Sequence, residues 1–144
     1  MKTPFEIGYR YIIPSLKAYL VKLLITKYNI AQTDIAKIFE ISRSTVSRYF
    51  SMERGSKIDI STFKDVNKML NELALKLLNK ELDNYDIEIT IMNIAMYILS
   101  MKYLCSFHSK LDLNVDPSKC RICPTIFGKL INNLRYYYFG DTFD

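Results

Sequence analysis

Three cysteines and the only histidine of this 144-residue chain fall within one short stretch, as Cys105-x2-His108 and Cys120-x2-Cys123. Two such pairs can each wrap one side of a tetrahedral ion, with residues 109–119 closing the cage between them. Thiolate and imidazole are soft or borderline donors, so the set favours zinc, or alternatively an iron–sulfur cluster, over magnesium or calcium. Two plainer readings stay open. Cys105 could be an ordinary buried thiol at the end of an apolar helix, and Cys120 with Cys123 could form a redox pair or a disulfide. Zinc would hold the tail rigidly, whereas a cluster would make it a redox or oxygen sensor.

A second set of residues suits recognition rather than coordination. Gln32 to Phe50, QTDIAKIFEISRSTVSRYF, divides into two short amphipathic helices joined by a tight turn. Ile35, Ala36, Phe39, Ile41, Val46 and Tyr49 fall where they would hold the helices together. Arg43, Ser44, Thr45, Ser47 and Arg48 are short polar or cationic residues, as a surface entering a DNA groove requires. Arg43 and Arg48 could pair with guanine or clamp phosphate, and the hydroxyls of Ser44, Thr45 and Ser47 could contact bases or backbone. Gln32 and Thr33, opening the first helix of the pair, are placed to grip phosphate. Ser42 is the expected N-cap of the second helix and belongs to the same surface. Arg54 and Lys57, in the break Glu53-Arg54-Gly55-Ser56-Lys57, could touch phosphate or merely solvate a connector.

Charge supports this placement. The net charge is +5, and residues 1–60 carry ten Lys/Arg against five Asp/Glu, while the rest of the chain is nearly balanced. The basic excess therefore coincides with the helical pair, where it would neutralise phosphates.

The elements that position these residues read as helices throughout. Nearly half of the chain is hydrophobic, Gly and Pro number four each, and the apolar spacing is mostly helical, so an all-α fold is expected. Pro14 suits a first helical turn and predicts a helix over 14–28, with Leu16, Leu20, Leu23, Leu24 and Lys27 as its stripe. The helical pair is expected at 32–39 and 43–51. A long helix capped by Asp59 or Ser61 reaches about Leu82, with Phe63, Val66, Leu70, Leu73, Leu77 and Leu78 on one face. Asp83-Asn84-Tyr85-Asp86 reads as a turn. A helix over 88–104 is apolar on most sides and needs a cover, for which a second copy of the chain is the natural candidate. A last helix runs from near Pro124 to about Phe139, with Ile126, Phe127, Leu130, Ile131, Leu134 and Tyr138 as its stripe. The longest uncharged apolar run, Ile89 to Met101, is thirteen residues, too short to cross a bilayer. No signal peptide is visible, so a cytoplasmic protein without a membrane partner is expected.

The run YIIPSLKAYLVKLLITKYNIAQTDIAKIFEISRSTVSRYF, followed by Arg54-Gly55, resembles the small helix-turn-helix transcriptional regulators common in archaea. The likeness covers about residues 9–57 well and the tail loosely. Members of that family carry a helix ahead of the motif and a C-terminal cluster of cysteines and a histidine. Ala31 stands where a capping serine is usual, and Glu40 where glycine is usual in the turn. Similar regulators often have further cysteines just upstream of the cluster, but residues 91–101 contain none, so one four-ligand site is the most that can be built.

Together these readings predict a helix-turn-helix DNA-binding domain at 1–58, a helical dimerisation region at 59–104, and a tail at 105–144 holding the Cys/His site and a last helix. The expected function is sequence-specific binding of double-stranded DNA by a homodimeric transcriptional regulator. No catalytic role is expected, because the chain has neither a glycine-rich phosphate loop nor a convincing group of carboxylates; Asp112 and Asp116 read as turn residues. The alternative is an adaptor for other proteins, or a thiol-based redox protein using Cys120 and Cys123 without DNA.

Overall fold

The computed structural model describes residues 1–139, with side chains as far as Asn132, and within them every regular element is helical. Thr3 opens the first helix, α1 (Pro4–Ile7), by accepting a hydrogen bond from the Glu6 N–H, and Pro4 occupies a first-turn position where a missing N–H costs nothing. Helical winding does not stop there. A π-helical stretch, Gly8–Ile12, leads directly into α2 (Ile13–Thr26). Pro14 explains the widened turn: its ring would collide with the carbonyl four residues back, and a looser ladder absorbs the conflict. The helix expected at 14–28 thus begins ten residues earlier and ends two residues sooner. Its buried face is Ser15, Leu16, Ala18, Leu20, Val21 and Leu24, while Lys27 is exposed and lies over the Tyr28 ring.

Helices α3 (Gln32–Phe39) and α4 (Arg43–Phe50) follow, then a 3-10 turn at Ile60–Thr62 and α5 (Lys64–Leu78). Asp59 does cap the start, its carboxylate accepting the Ser61 N–H, but the expected single helix to Leu82 is interrupted at Phe63, which is extended (φ −102°, ψ 96°), and stops four residues early. Helix α6 (Asn84–Ser100) starts inside the stretch read as a turn. Asp83 and Asp86 form a reciprocal capping box, each carboxylate accepting the other's backbone N–H. At its far end α6 stops at Ser100 rather than 104, because Lys102 takes a left-handed conformation (φ 62°) and the Tyr103 N–H folds back to the Ile98 carbonyl. The chain then bends by 84° into α7 (Cys105–Leu111), so Cys105 opens a new helix instead of closing an apolar one.

Helix α8 (Ile122–Phe139) packs along α6, and α2, α5 and the π-helical stretch complete the surround. The chain itself thus covers most of the helix whose apolar character suggested a partner subunit. One continuous core runs from Ile7 through the interior faces of α2 to α6 and ends on Cys123, Phe127 and Ile131 of α8. That face differs from the stripe expected for the last helix: Ile126 and Leu130 are exposed, and Leu134 and Tyr138 lie outside the residues whose side chains are described. No single helix among the described residues is long and apolar enough to cross a membrane.

A polar clamp ties α5 to α6. The hydroxyls of Tyr97 and Tyr103 both donate to Oδ2 of Asp65, and the Tyr103 ring stacks on Phe63 at 4.9 Å. Tyr97 is fully buried, and burial first, then its bond to the Asp65 carboxylate, pushes its phenol well above the ordinary value of 10.0. A phenol with a raised folded-state pKa contributes stability that is fully present below pH 10. That contribution is lost as pH rises further, where the unfolded chain ionises and the folded one does not. The urea midpoint should accordingly fall more steeply from pH 9.5 to about 11.5 in the natural protein than in Tyr97→Phe, which starts lower but lacks this titration. Parallel curves would show that the clamp is not coupled to folding.

Candidate nucleic-acid interface

The helical pair stands on local rules. Ser42 caps α4: its Oγ accepts the Thr45 N–H at 3.1 Å and lies 2.9 Å from Thr45 Oγ1. Ala31 precedes α3 in extended conformation with no side-chain cap, so the bonds at that end are backbone ones, from the N–H groups of Asp34 and Ile35 to its carbonyl. Glu40 ends α3 in the left-handed region (φ 53°, ψ 43°), and the Ile41 N–H returns to the Ala36 carbonyl. This is the backbone glycine would adopt without strain; a side chain there costs about 1 kcal/mol. The α3–α4 turn is thus the same type of turn, formed by a less suited residue.

On α4, Val46 and Tyr49 are buried against α2, and Ile35 of α3 is buried beside them in the same core. The opposite face of α4 presents Arg43, Ser44, Ser47 and Arg48 to solvent. Thr45 is half-buried and engaged with Ser42, so these two position the helix start, although Ser42 remains exposed. Thr33 is exposed and Gln32 half-buried at the opening of α3. Arg54 and Lys57 are both exposed, and the Arg54 guanidinium lies 5.9 Å from the centre of the Tyr49 ring. Burial raises the Tyr49 phenol, and the nearby Arg54 charge opposes that shift.

The Cys/His residues gather in a different corner. Cys105, His108 and Cys123 line one small cavity of about 10 Å³ with Ile7, Leu99 and Leu104. The thiols of Cys105, Cys120 and Cys123 are free, and Cys120 is close enough to disfavour ionisation of Cys105 and Cys123. Burial is the larger cause and pushes Cys123 up to about 11 and Cys105 in the same direction, while the Lys102 ammonium pulls both down. Lys102 was not visible as part of this corner, although it stands three residues before Cys105; its Nζ donates to the Pro117 carbonyl. His108 is committed elsewhere, with Nε2 at 2.8 Å from the Lys2 carbonyl. Among the described residues no group of three or more His, Cys, Asp or Glu is arranged to hold a metal ion. The donor types fit zinc, but the arrangement stops short of a coordination shell, with the histidine turned to the backbone.

Asp112 and Asp116 serve turns. Asp112 accepts the Asn114 and Lys2 N–H groups, and Asp116 accepts the Ser118 N–H and hydroxyl, contacts that hold both carboxyls below the ordinary carboxylate range.

Comparison with known proteins found no matching family model, no matching curated protein and no matching solved structure.

The segment leaving α4 is fixed by one glycine. Gly55 has φ +79°, and a Cβ there would overlap the Pro14 carbonyl oxygen and come within 2.7 Å of the Ala18 Cβ. Backbone strain and overlap with rigid helix atoms act together, so Gly55→Ala should destabilise the fold by roughly 2–4 kcal/mol. A urea midpoint within error of the natural protein would mean that the segment is free to lift off α2.

Proposed function

We propose that this chain is a sequence-selective, DNA-binding transcriptional regulator that acts as a cytoplasmic homodimer. The observation that carries the reading is the two-faced character of α4. Val46 and Tyr49 anchor it, and Arg43, Ser44, Ser47 and Arg48 are left to solvent. A groove-reading helix needs that division, since its anchors must be buried for its reading side chains to be held outward. Arg43 and Arg48 are the proposed base or phosphate contacts, Ser44 and Ser47 the short hydrogen-bonding contacts, and Thr33, Gln32, Arg54 and Lys57 the flanking phosphate contacts. The resemblance of residues 9–57 to archaeal helix-turn-helix regulators supports the same assignment. Dimerisation would set two reader helices one DNA turn apart. Exposed Ile89 and Met92 on α6, together with Ile126 and Leu130 on α8, are among the exposed apolar side chains that such a contact could use.

Selection from a random duplex library should yield an enriched motif with two related half-sites. Arg43→Ala combined with Arg48→Ala should weaken binding to it by about 2–5 kcal/mol and reduce the salt dependence, with the melting temperature unchanged because both side chains are exposed. A chain that retains no duplex at low salt but captures a protein partner undisturbed by these substitutions would be an adaptor instead.

Within the same reading, Cys105, Cys120 and Cys123 would hold a zinc ion that stiffens the tail, with His108 as a fourth donor only once its Nε2 releases the Lys2 carbonyl. Zinc would neutralise thiolates that burial otherwise disfavours. Elemental analysis of anaerobically purified protein should find about one zinc per chain, lost in Cys123→Ser. A brown, iron-containing protein would make the site an iron–sulfur centre, and a metal-free one would leave a cluster of plain thiols.

A further inference from the structure

A cavity of about 550 Å³ opens between α2 and the segment that leaves α4. Ser15, Tyr19 and Lys22 of α2 stand on one side, and Met52, Ile58 and Ile60 on the other. Its size is that of a small-molecule site, and its lining mixes the apolar Leu23, Met52, Ile58 and Ile60 with the polar Tyr19, Thr26, Ser56 and Ser61. Two features of the polar groups are specific. The Ser15 hydroxyl is buried without a hydrogen-bond partner, a condition that calls for one. Among the described residues Lys22 is the single cation of the lining. Asp59, the one carboxylate there, already accepts the N–H and hydroxyl of Ser61.

Ser15 and Lys22 are seven residues apart on one helix, a rise of roughly 10 Å. A small organic acid that carries a hydroxyl at its far end spans that distance. The lining segment is also tied to α4, because the N–H groups of Glu53 and Arg54 both donate to the Arg48 carbonyl. Gly55 leaves that segment no slack towards α2. Whatever fills the cavity therefore bears on the last turn of α4.

We propose that this cavity binds a small hydroxylated organic acid, with the carboxylate on Lys22 and the hydroxyl end towards Ser15, and that its occupancy alters how α4 is presented. The second half of the proposal rests on the DNA-binding reading; the first does not.

The probe is 4-hydroxybenzoate, titrated into the isotope-labelled full chain and followed by amide shifts. Saturable shifts confined to residues 15–26 and 52–61, with a midpoint at or below about 1 mM, are expected. Lys22→Glu, a change at an exposed position that leaves the melting temperature in place, should raise that midpoint by about tenfold or more, and the uncharged 4-hydroxybenzyl alcohol should bind the natural protein as weakly. Absence of saturation by about 10 mM, or an equal midpoint in Lys22→Glu, overturns the site. With the site shown, saturating probe should change affinity for the selected duplex by at least about threefold. An unchanged affinity overturns the coupling and leaves the site standing. A protein that retains no duplex with or without probe fails the DNA reading, and the coupling with it, while the shift experiment still decides the site.

Discussion

Helix α2 supports the whole molecule, because α3, α4, α5 and α6 all pack on it and each needs a different part of its surface. Its interior residues are large apolar ones where α5 and α6 meet it and small ones, Ser15 and Ala18, where the backbone of the segment after α4 approaches. Close approach of backbone to helix is possible only between residues with little or no side chain, so Ala18 and Gly55 are one device seen from two sides. Pro14 gives this contact its second feature. It removes one backbone donor from the helix, and its carbonyl oxygen is the atom against which Gly55 lies. The seating of α4 is thus fixed twice, by Val46 and Tyr49 within the core and by Gly55 at its exit.

Five helical segments end without the residue best suited to end them. Asn29, Glu40, Met52, Lys80 and Lys102 all hold positive φ. After four of them the next N–H folds back five residues, to the carbonyls of Ala36, Arg48, Lys76 and Ile98. Each non-glycine residue in this conformation costs about 1 kcal/mol, asparagine least. The chain has only four glycines, so tertiary burial on either side must hold these stops in place. In the α3–α4 turn this has a use: Ile41 is carried inward to the core by the same turn that swings Ser42 and Arg43 out.

The limits of α3 and α4 were legible nearly to the residue, because Ser42 is a strong cap and the two apolar faces have a clear helical period. The unusual backbone at Glu40 was legible too, as a glycine position filled by something else. By contrast, the end of α6 left no mark. Ile94 to Met101 is apolar without period, Lys102 is an ordinary helix former, and only the tertiary fit of Tyr103 against Phe63 and Asp65 decides that the helix must stop. The buried face of α8 was legible at Phe127 and Ile131 and misplaced at Ile126 and Leu130, for a related reason. Ile126, Phe127, Leu130 and Ile131 form two adjacent apolar rows, and packing on α6 rather than periodicity selects the row containing Cys123, Phe127 and Ile131.

The break after α6 is what assembles the thiol corner. Had the helix continued to Leu104 and beyond, Cys105 would have been carried away along its axis; the 84° bend turns it back to meet Cys123 in the first turn of α8. The same bend lets α7 present His108 and Asp112 to the first residues of the chain, where they hold Lys2 by its carbonyl and its N–H. The histidine thus has two possible employments that differ in consequence. Bonded to Lys2 it fastens the start of α1 to α7, and through Ile7 to the wall of the thiol cavity. Taken as a ligand through Nε2 it would have to release that carbonyl. Burial favours the protonated thiols of Cys105 and Cys123, so a metal there would also have to displace their protons. Any metal held there must therefore compete with a hydrogen bond already made, and its binding would be felt first at the N-terminal turn rather than at α4.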